Sequence, residues 1–226
     1  MVQPEVNEHK DNLTIRIISA AVLGPLVLFA VYFGTPFFEI LIGLSVLIMI
    51  QEWVRLCRKQ LGWLIVGLLY IAFACLSLLF IRFNSNYGQN NLLWLFLIVW
   101  SADIGAYAFG RLIGGLKLAP VISPNKTWAG LIGGIFLSTL TGGALAYILE
   151  QEALTMLVFL SATVGAVSQA GDLMESFIKR YFKVKDTGNI IPGHGGLLDR
   201  VDGLLLAAIF VAIIDVLSQD GIFKWI

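Results

Sequence analysis

The sequence predicts an all-α fold: a polytopic transmembrane helix bundle of about seven spans, with its N-terminus in the cytoplasm. Three observations lead there. Of 226 residues, 58% are hydrophobic and only 13% charged, and mean hydropathy is +0.85. A soluble domain is roughly 25% charged. Apolar runs of spanning length recur along the whole chain, and its basic residues fall almost entirely on one side of them.

Residues 1–12 (MVQPEVNEHKDN) read as a polar N-terminal tail and 13–226 as a single transmembrane domain. The spans are expected at 13–33, 36–53, 62–81, 92–110, 127–149, 154–175 and 203–219, the last being the shortest. The first is too long for a cleavable leader and runs directly into the second. Cys57 and Cys75 lie in or beside apolar segments, without metal-ligand spacing or a disulfide framework, and read as small hydrophobes.

With the N-terminus inside, thirteen of the fifteen Lys and Arg residues are cytoplasmic; only Arg82 and Lys224 lie outside. The two long polar loops, 111–126 and 176–202, then face the cytoplasm. An integral protein of a bacterial inner membrane, with its site on the cytoplasmic face, is the expected setting.

The chemistry-bearing residues gather at that face. The sixth span ends in GDLMESFIKR, where Asp172, Glu175, Ser176 and Lys179 are spaced i, i+3, i+4, i+7 and share one helical face. Asp172 follows the small residues Ser168, Ala170 and Gly171, in a tightly packed helix where an ionisable group is costly and usually functional. Asp199 and Asp202 stand one turn apart where the last span begins. N-capping is the bland reading of Asp202, but hard oxygens at this spacing also suit Mg²⁺. His194 has no second histidine to join it as a metal ligand and is assigned to polar contact with a phosphate or a carbonyl. Gly195 and Gly196 permit close backbone approach to a phosphate.

The other loop contributes Asp103, inside the fourth span, then Gly110-Arg111. The run Ser123-Pro124-Asn125-Lys126-Thr127-Trp128 leads into the fifth span and reads either as a phosphate cradle or as a turn capped by Thr127. Gly130 and Gly134 form a G-x-x-x-G, read as close helix packing within the bundle or in a homodimer.

The run Ser176-x-x-Lys179-Arg180-x₄-Lys185-Asp186-x-Gly188-x₃-Pro192-x-His194-Gly195-Gly196-x-x-Asp199-Arg200-x-Asp202 resembles the signature of the CDP-diacylglycerol synthase (phosphatidate cytidylyltransferase) family, without departure at its charged and glycine positions. The likeness extends to Gly171-Asp172-Leu173 with Glu175-Ser176, to Asp103 with Gly110-Arg111, and to Ser123-Pro124-x-Lys126-Thr127-Trp128, and is strongest over 95–203. Gly203 stands where family members often have Ser. The chain is also short for the family, by one or two N-terminal spans.

The resemblance implies the reaction CTP + phosphatidate → CDP-diacylglycerol + pyrophosphate, with Mg²⁺ as cofactor and a second, monovalent or divalent, cation as a further candidate. Asp172, Asp199 and Asp202 are then the expected metal ligands, with Asp103 as an outlying one. Lys179, Arg180, Lys185 and Arg200 would hold phosphates; Ser123, Lys126, Thr127, Ser176, His194, Gly195 and Gly196 would position substrate. The implied partners are CTP, phosphatidate and membrane lipids, not nucleic acid.

Three other classes are weighed. Asp199-x-x-Asp202-Gly203 matches a fragment of the CDP-alcohol phosphotransferases, but 204–214 is wholly apolar and lacks their further aspartates. A CTP-dependent polyprenol kinase would make a phosphorylated alcohol instead. A transporter would bury its charges at mid-membrane, often in repeated halves.

Overall fold

The computed structural model describes residues 19, 21–57, 60–84, 87–149, 151, 153–191 and 195–217. Among them the chain forms α1 (Ala21–Phe33), α2 (Phe37–Cys57), α3 (Leu61–Phe83), α4 (Gly88–Leu112), α5 (Trp128–Ile148), α6 (Leu154–Tyr181) and α7 (Leu198–Leu217). The expected helix bundle is what forms. Five helices, α2 to α6, are long and apolar enough to cross a membrane. The described part of α1 is shorter, and α7 carries Asp199, Arg200, Asp202 and Asp215.

Polarity is inverted relative to a soluble protein. Leu47, Phe73, Ile132 and Phe159 are 62–75% exposed, whereas Ser138, Ser161, Ser168, Gln169 and Glu52 are buried. Lipid is as apolar as leucine, so small and polar residues turn inward, where they let backbones approach and satisfy one another.

That rule explains how α4, α5 and α6 pack. A Cβ on Gly130 or Gly134 would lie 2.8 Å from the carbonyl oxygens of Ala106 and Ala102 respectively, so α5 runs antiparallel along α4 with nothing between the backbones. The G-x-x-x-G face is thus used inside the chain and does not carry the homodimer expectation. On the other side of α5, Gly142 faces Ser161 and Gly165 faces Ser138, which seats α6 antiparallel to it. Helix α7 packs on α6 and α3, and α2 packs on α3.

Several boundaries differ from expectation, always at polar ends that hydropathy cannot judge. Helix α6 continues to Tyr181 rather than stopping at 175. Its 28 residues span about 42 Å, against a hydrocarbon core of about 30 Å. The Glu175–Lys179 pair, 3.0 Å apart at i, i+4, supports the extra turns. Helix α7 starts at Leu198 rather than 203 because acidic side chains favour a helix start. The segment expected as a polar loop at 111–126 holds an antiparallel hairpin, β1 (Lys117–Ala119) and β2 (Ser123–Thr127), whose short polar strands carry no hydrophobic alternation to announce them.

The C-terminal ends of α2, α4 and α6 and the N-terminal ends of α5 and α7 meet at one end of the bundle, with the hairpin. Among the described residues Arg55, Arg111, Lys117, Lys126, Lys179, Arg180, Lys183, Lys185 and Arg200 belong to that end, and Arg82 to the other. The expected tail, with Lys10, Arg16, Arg58 and Lys59, lies outside the described residues.

Gly134→Val should force α4 and α5 apart, because the intruding atoms meet a backbone carbonyl that cannot rotate away. The expected cost is about 1–3 kcal/mol, read as a lowered Tm in detergent. An unchanged Tm would show that the helices are not in backbone contact.

Candidate active site

At the charged end the structure opens a cavity of about 660 Å³. Asp103, Lys126, Thr127, Asp172, Lys179, Asp199, Arg200 and Asp202 all line it, joined by Tyr107, Gly110 and Arg111 from α4 and by Gln169 from α6. Residues up to a hundred positions apart in sequence are brought together because the ends of α4, α5, α6 and α7 and the hairpin converge there.

The charges are already partly matched. Lys126 Nζ lies 2.6 Å from Asp172 Oδ2, and Ser176 Oγ donates to Asp172 Oδ1 at 3.4 Å. Asp103 Oδ1 accepts from Gln169 Nε2 at 3.2 Å. Arg111 Nη1 donates to the Tyr107 hydroxyl at 2.6 Å on the exposed side of α4. Among the described residues, Asp202 Oδ1 accepts the N–H of its neighbour Gly203, at 2.8 Å. Of the acidic groups on the cavity, Asp202 and Asp103, with one such hydrogen bond each, are therefore the least committed to the protein.

Asp199 is the opposite case. Its Oδ1 receives Lys179 Nζ at 2.7 Å; its Oδ2 receives the N–H groups of Thr187 (2.8 Å) and Gly196 (2.9 Å), with the Thr187 hydroxyl 3.0 Å away. A carboxylate that accepts this many donors is held ionised by them. It has little coordinating capacity left, which departs from the metal-ligand role expected of it. Lys179 is likewise clamped between Glu175 and Asp199, so its charge reaches the cavity from a fixed position rather than on a free arm.

Several expected substrate contacts lie elsewhere. Arg180 Nε donates to the carbonyl of Ile122 at 3.2 Å and Nη1 to that of Val184 at 3.4 Å, latching the hairpin to the end of α6. Thr127 Oγ1 accepts the Gly130 N–H at 3.0 Å, which is the capping alternative, although the residue still borders the cavity. Ser123, Ser176, Arg180, Lys185, Gly195 and Gly196 are not among the lining residues. Gly195 has φ +87°, and a Cβ there would lie 3.0 Å from Asp199 Oδ2, so the glycine pair makes room for the protein's own carboxylates. His194 lies outside the described residues.

Gly203 also has a local reason. A Cβ at this position would sit 2.7 Å from Ser168 Oγ and 2.9 Å from its carbonyl, so a side chain there would collide with α6.

Sequence reasoning missed Glu52 and Thr187. Glu52 is 1% exposed on α2, yet its oxygens reach the start of α7. The signal was available: a carboxylate following the apolar run 40–50 near the end of α2 is costly to bury and wants an explanation.

Carboxylates interleaved with lysine and arginine around one cavity, at one end of an apolar helix bundle, have the chemistry to receive polyanions. The chain belongs to the cytidylyltransferase family, whose model matches residues 58–217. It is 40% identical over 210 residues to a phosphatidate cytidylyltransferase of Rickettsia bellii, covering 89% of this chain and 90% of that protein. A Rickettsia felis protein of the same name is 35% identical over 228 residues, covering 96% and 100%. One from Brucella suis is 43% identical over 162 residues, 72% of this chain but 58% of that longer protein.

Asp199→Asn should destabilise the fold, because an amide nitrogen would face donors and leave Lys179 underpaired. Breaking a buried pair from one side costs about 3–5 kcal/mol. Asp202→Asn, which loses only a neighbouring N–H contact, should melt within a degree or two of the parent. Equal Tm values for the two variants would contradict this division of roles.

Proposed function

We propose that this chain is a phosphatidate cytidylyltransferase of the bacterial inner membrane, acting at its cytoplasmic face. The observation that carries the reading is the cavity itself, where Asp103, Asp172 and Asp202 share one volume with Lys126, Lys179 and Arg200. The concentration of basic residues at this end supports the orientation.

The phosphate of phosphatidate attacks the α-phosphorus of CTP; the bond to the β-phosphate's bridging oxygen breaks and pyrophosphate leaves. A phosphomonoester has a second pKa of about 6, so the nucleophile is already largely ionised at neutral pH and needs no strong base. The task is to hold two polyanions together and to stabilise charge on the transferring group. Lys126 can exchange its Asp172 partner for a phosphate oxygen, and Arg200, exposed on the cavity wall, supplies a second cation. Lys179 adds a fixed positive charge behind them. Acyl chains reach the site sideways, past exposed α4 residues such as Ile104 and Tyr107.

The donor set suits Mg²⁺. Among the described residues no three acidic side chains converge into a ready-made cage. Mg²⁺ does not need one: it takes one or two carboxylates and completes its shell with water and substrate phosphates. Asp202 and Asp172 are the residues to hold it, with Asp103 nearby. The ion would supply charge neutralisation at the phosphates.

Purified protein incubated with phosphatidate, Mg²⁺ and CTP labelled at either the α- or the γ-phosphorus tests the reading. Label from the α position should appear in the lipid and label from the γ position in pyrophosphate. Transfer of γ-label to a lipid alcohol would establish the kinase alternative instead.

Lys126→Ala should raise an apparent substrate KM about tenfold or more, since a charge-assisted hydrogen bond is worth about 1.5–3 kcal/mol. Steady-state kinetics with each substrate varied in turn checks this. An unchanged KM for both would remove Lys126 from the phosphate site.

A further inference from the structure

Glu52 does not line the cavity, lies outside the segment that the family model matches, and is nevertheless tied to the cavity's most important helix start. Its Oε1 accepts the N–H of Leu197 at 2.8 Å. Its Oε2 accepts the N–H of Leu198 at 3.0 Å and lies 3.3 Å from the Thr187 hydroxyl. Helix α7 begins at Leu198, so a side chain borrowed from α2 satisfies N–H groups that the helix itself leaves without partners.

Glu52 is 1% exposed. A Cβ on Gly188 or on Gly196 would come within 2.8 Å of Glu52 Oε1, so the backbone at these two glycines presses on this carboxylate from two sides. Among the described residues no lysine or arginine is paired with it. The backbone donors and the positive end of the α7 dipole compensate its charge.

Glu52 and Asp199 act as a pair. Between them they receive the N–H groups of Thr187, Gly196, Leu197 and Leu198, and the Thr187 hydroxyl lies within reach of both. Glu52 is itself held rigidly: next to it, Trp53 Nε1 donates to the carbonyl of Trp63 at 3.0 Å, and the Trp53 ring fills the space above Gly67 on α3. The position of α2 is thereby transmitted to the first turn of α7. Asp202, one turn further on, projects into the cavity from a helix whose start is fixed in height and rotation by Glu52.

We infer that Glu52 is a positioning residue for cytidylyl transfer, setting Asp202 in the cavity by capping α7 from a neighbouring helix. The inference rests on the reaction proposed above. A misplacement of about 1 Å costs on the order of a hundredfold in rate without touching substrate binding.

The test is Glu52→Gln in the full chain, in detergent and in lipid nanodiscs. The amide keeps one acceptor oxygen and turns a donor toward an N–H. The expected result is a kcat lowered about ten- to a hundredfold, a Mg²⁺ concentration for half-maximal rate raised several-fold, and a CTP KM within twofold of the parent. A purely structural role would lower Tm and leave the Mg²⁺ dependence of the remaining folded enzyme unmoved; that result, or parental kcat, overturns the inference. If Glu52→Gln yields no folded protein, Thr187→Val carries the test, because it removes the hydroxyl between the two carboxylates and leaves every backbone donor in place. A kcat several-fold lower supports the inference, and parental kcat and Mg²⁺ dependence overturn it. Parent protein that incorporates no α-label from CTP would sink the reaction, and this inference with it.

Discussion

Helix α7 begins with two buried residues, Leu198 and Asp199, and a helix that begins away from water must find partners for its first N–H groups within the protein. Glu52 and Asp199 are those partners. Much of the charged end follows from this constraint. The segment between α6 and α7 has to fold back so that Thr187, Gly196, Leu197 and Leu198 point at two carboxylates. Gly188 and Gly196 are needed where that backbone presses against Glu52, and Lys179 has to stand beside Asp199 to offset its charge. With these groups fixed, Asp202 and Arg200 fall on the cavity wall.

The polar groups therefore divide into a supporting layer and a working layer. Glu52, Thr187, Glu175, Lys179 and Asp199 are committed to one another, and their hydrogen bonds would cost stability to disturb. Asp202, Asp172, Lys126, Asp103 and Arg200 face the cavity with few or exchangeable partners. A site that must accept CTP and a lipid phosphate, then release a charged lipid and pyrophosphate, needs the second layer loose and the first one rigid.

Much of this was legible in the sequence. Hydropathy located the helices, and the i, i+3, i+4, i+7 pattern put Asp172, Glu175, Ser176 and Lys179 on the one face of α6 that they occupy. What failed did so for a common reason: sequence spacing says which residues share an element, not which of several charged neighbours a side chain will choose. Arg180 follows Lys179 directly, yet it turns to the hairpin carbonyls. Asp199 and Asp202 are chemically identical and one turn apart, and it is Lys179 and the donors at Thr187 and Gly196, all gathered on Asp199, that tell them apart. The role of Glu52 was not readable because its partner segment lies 135–146 positions away and is contacted through the backbone N–H groups of Leu197 and Leu198 and the Thr187 hydroxyl. The hairpin escaped notice because its strands are too short to show a period.

Amide hydrogen exchange on the protein in nanodiscs tests the central claim most directly. If two buried carboxylates close the start of α7, the N–H groups of Thr187, Gly196, Leu197 and Leu198 exchange as slowly as those in the middle of α6, although they belong to a glycine-containing connection. Exchange at the rate of an open loop would contradict the account.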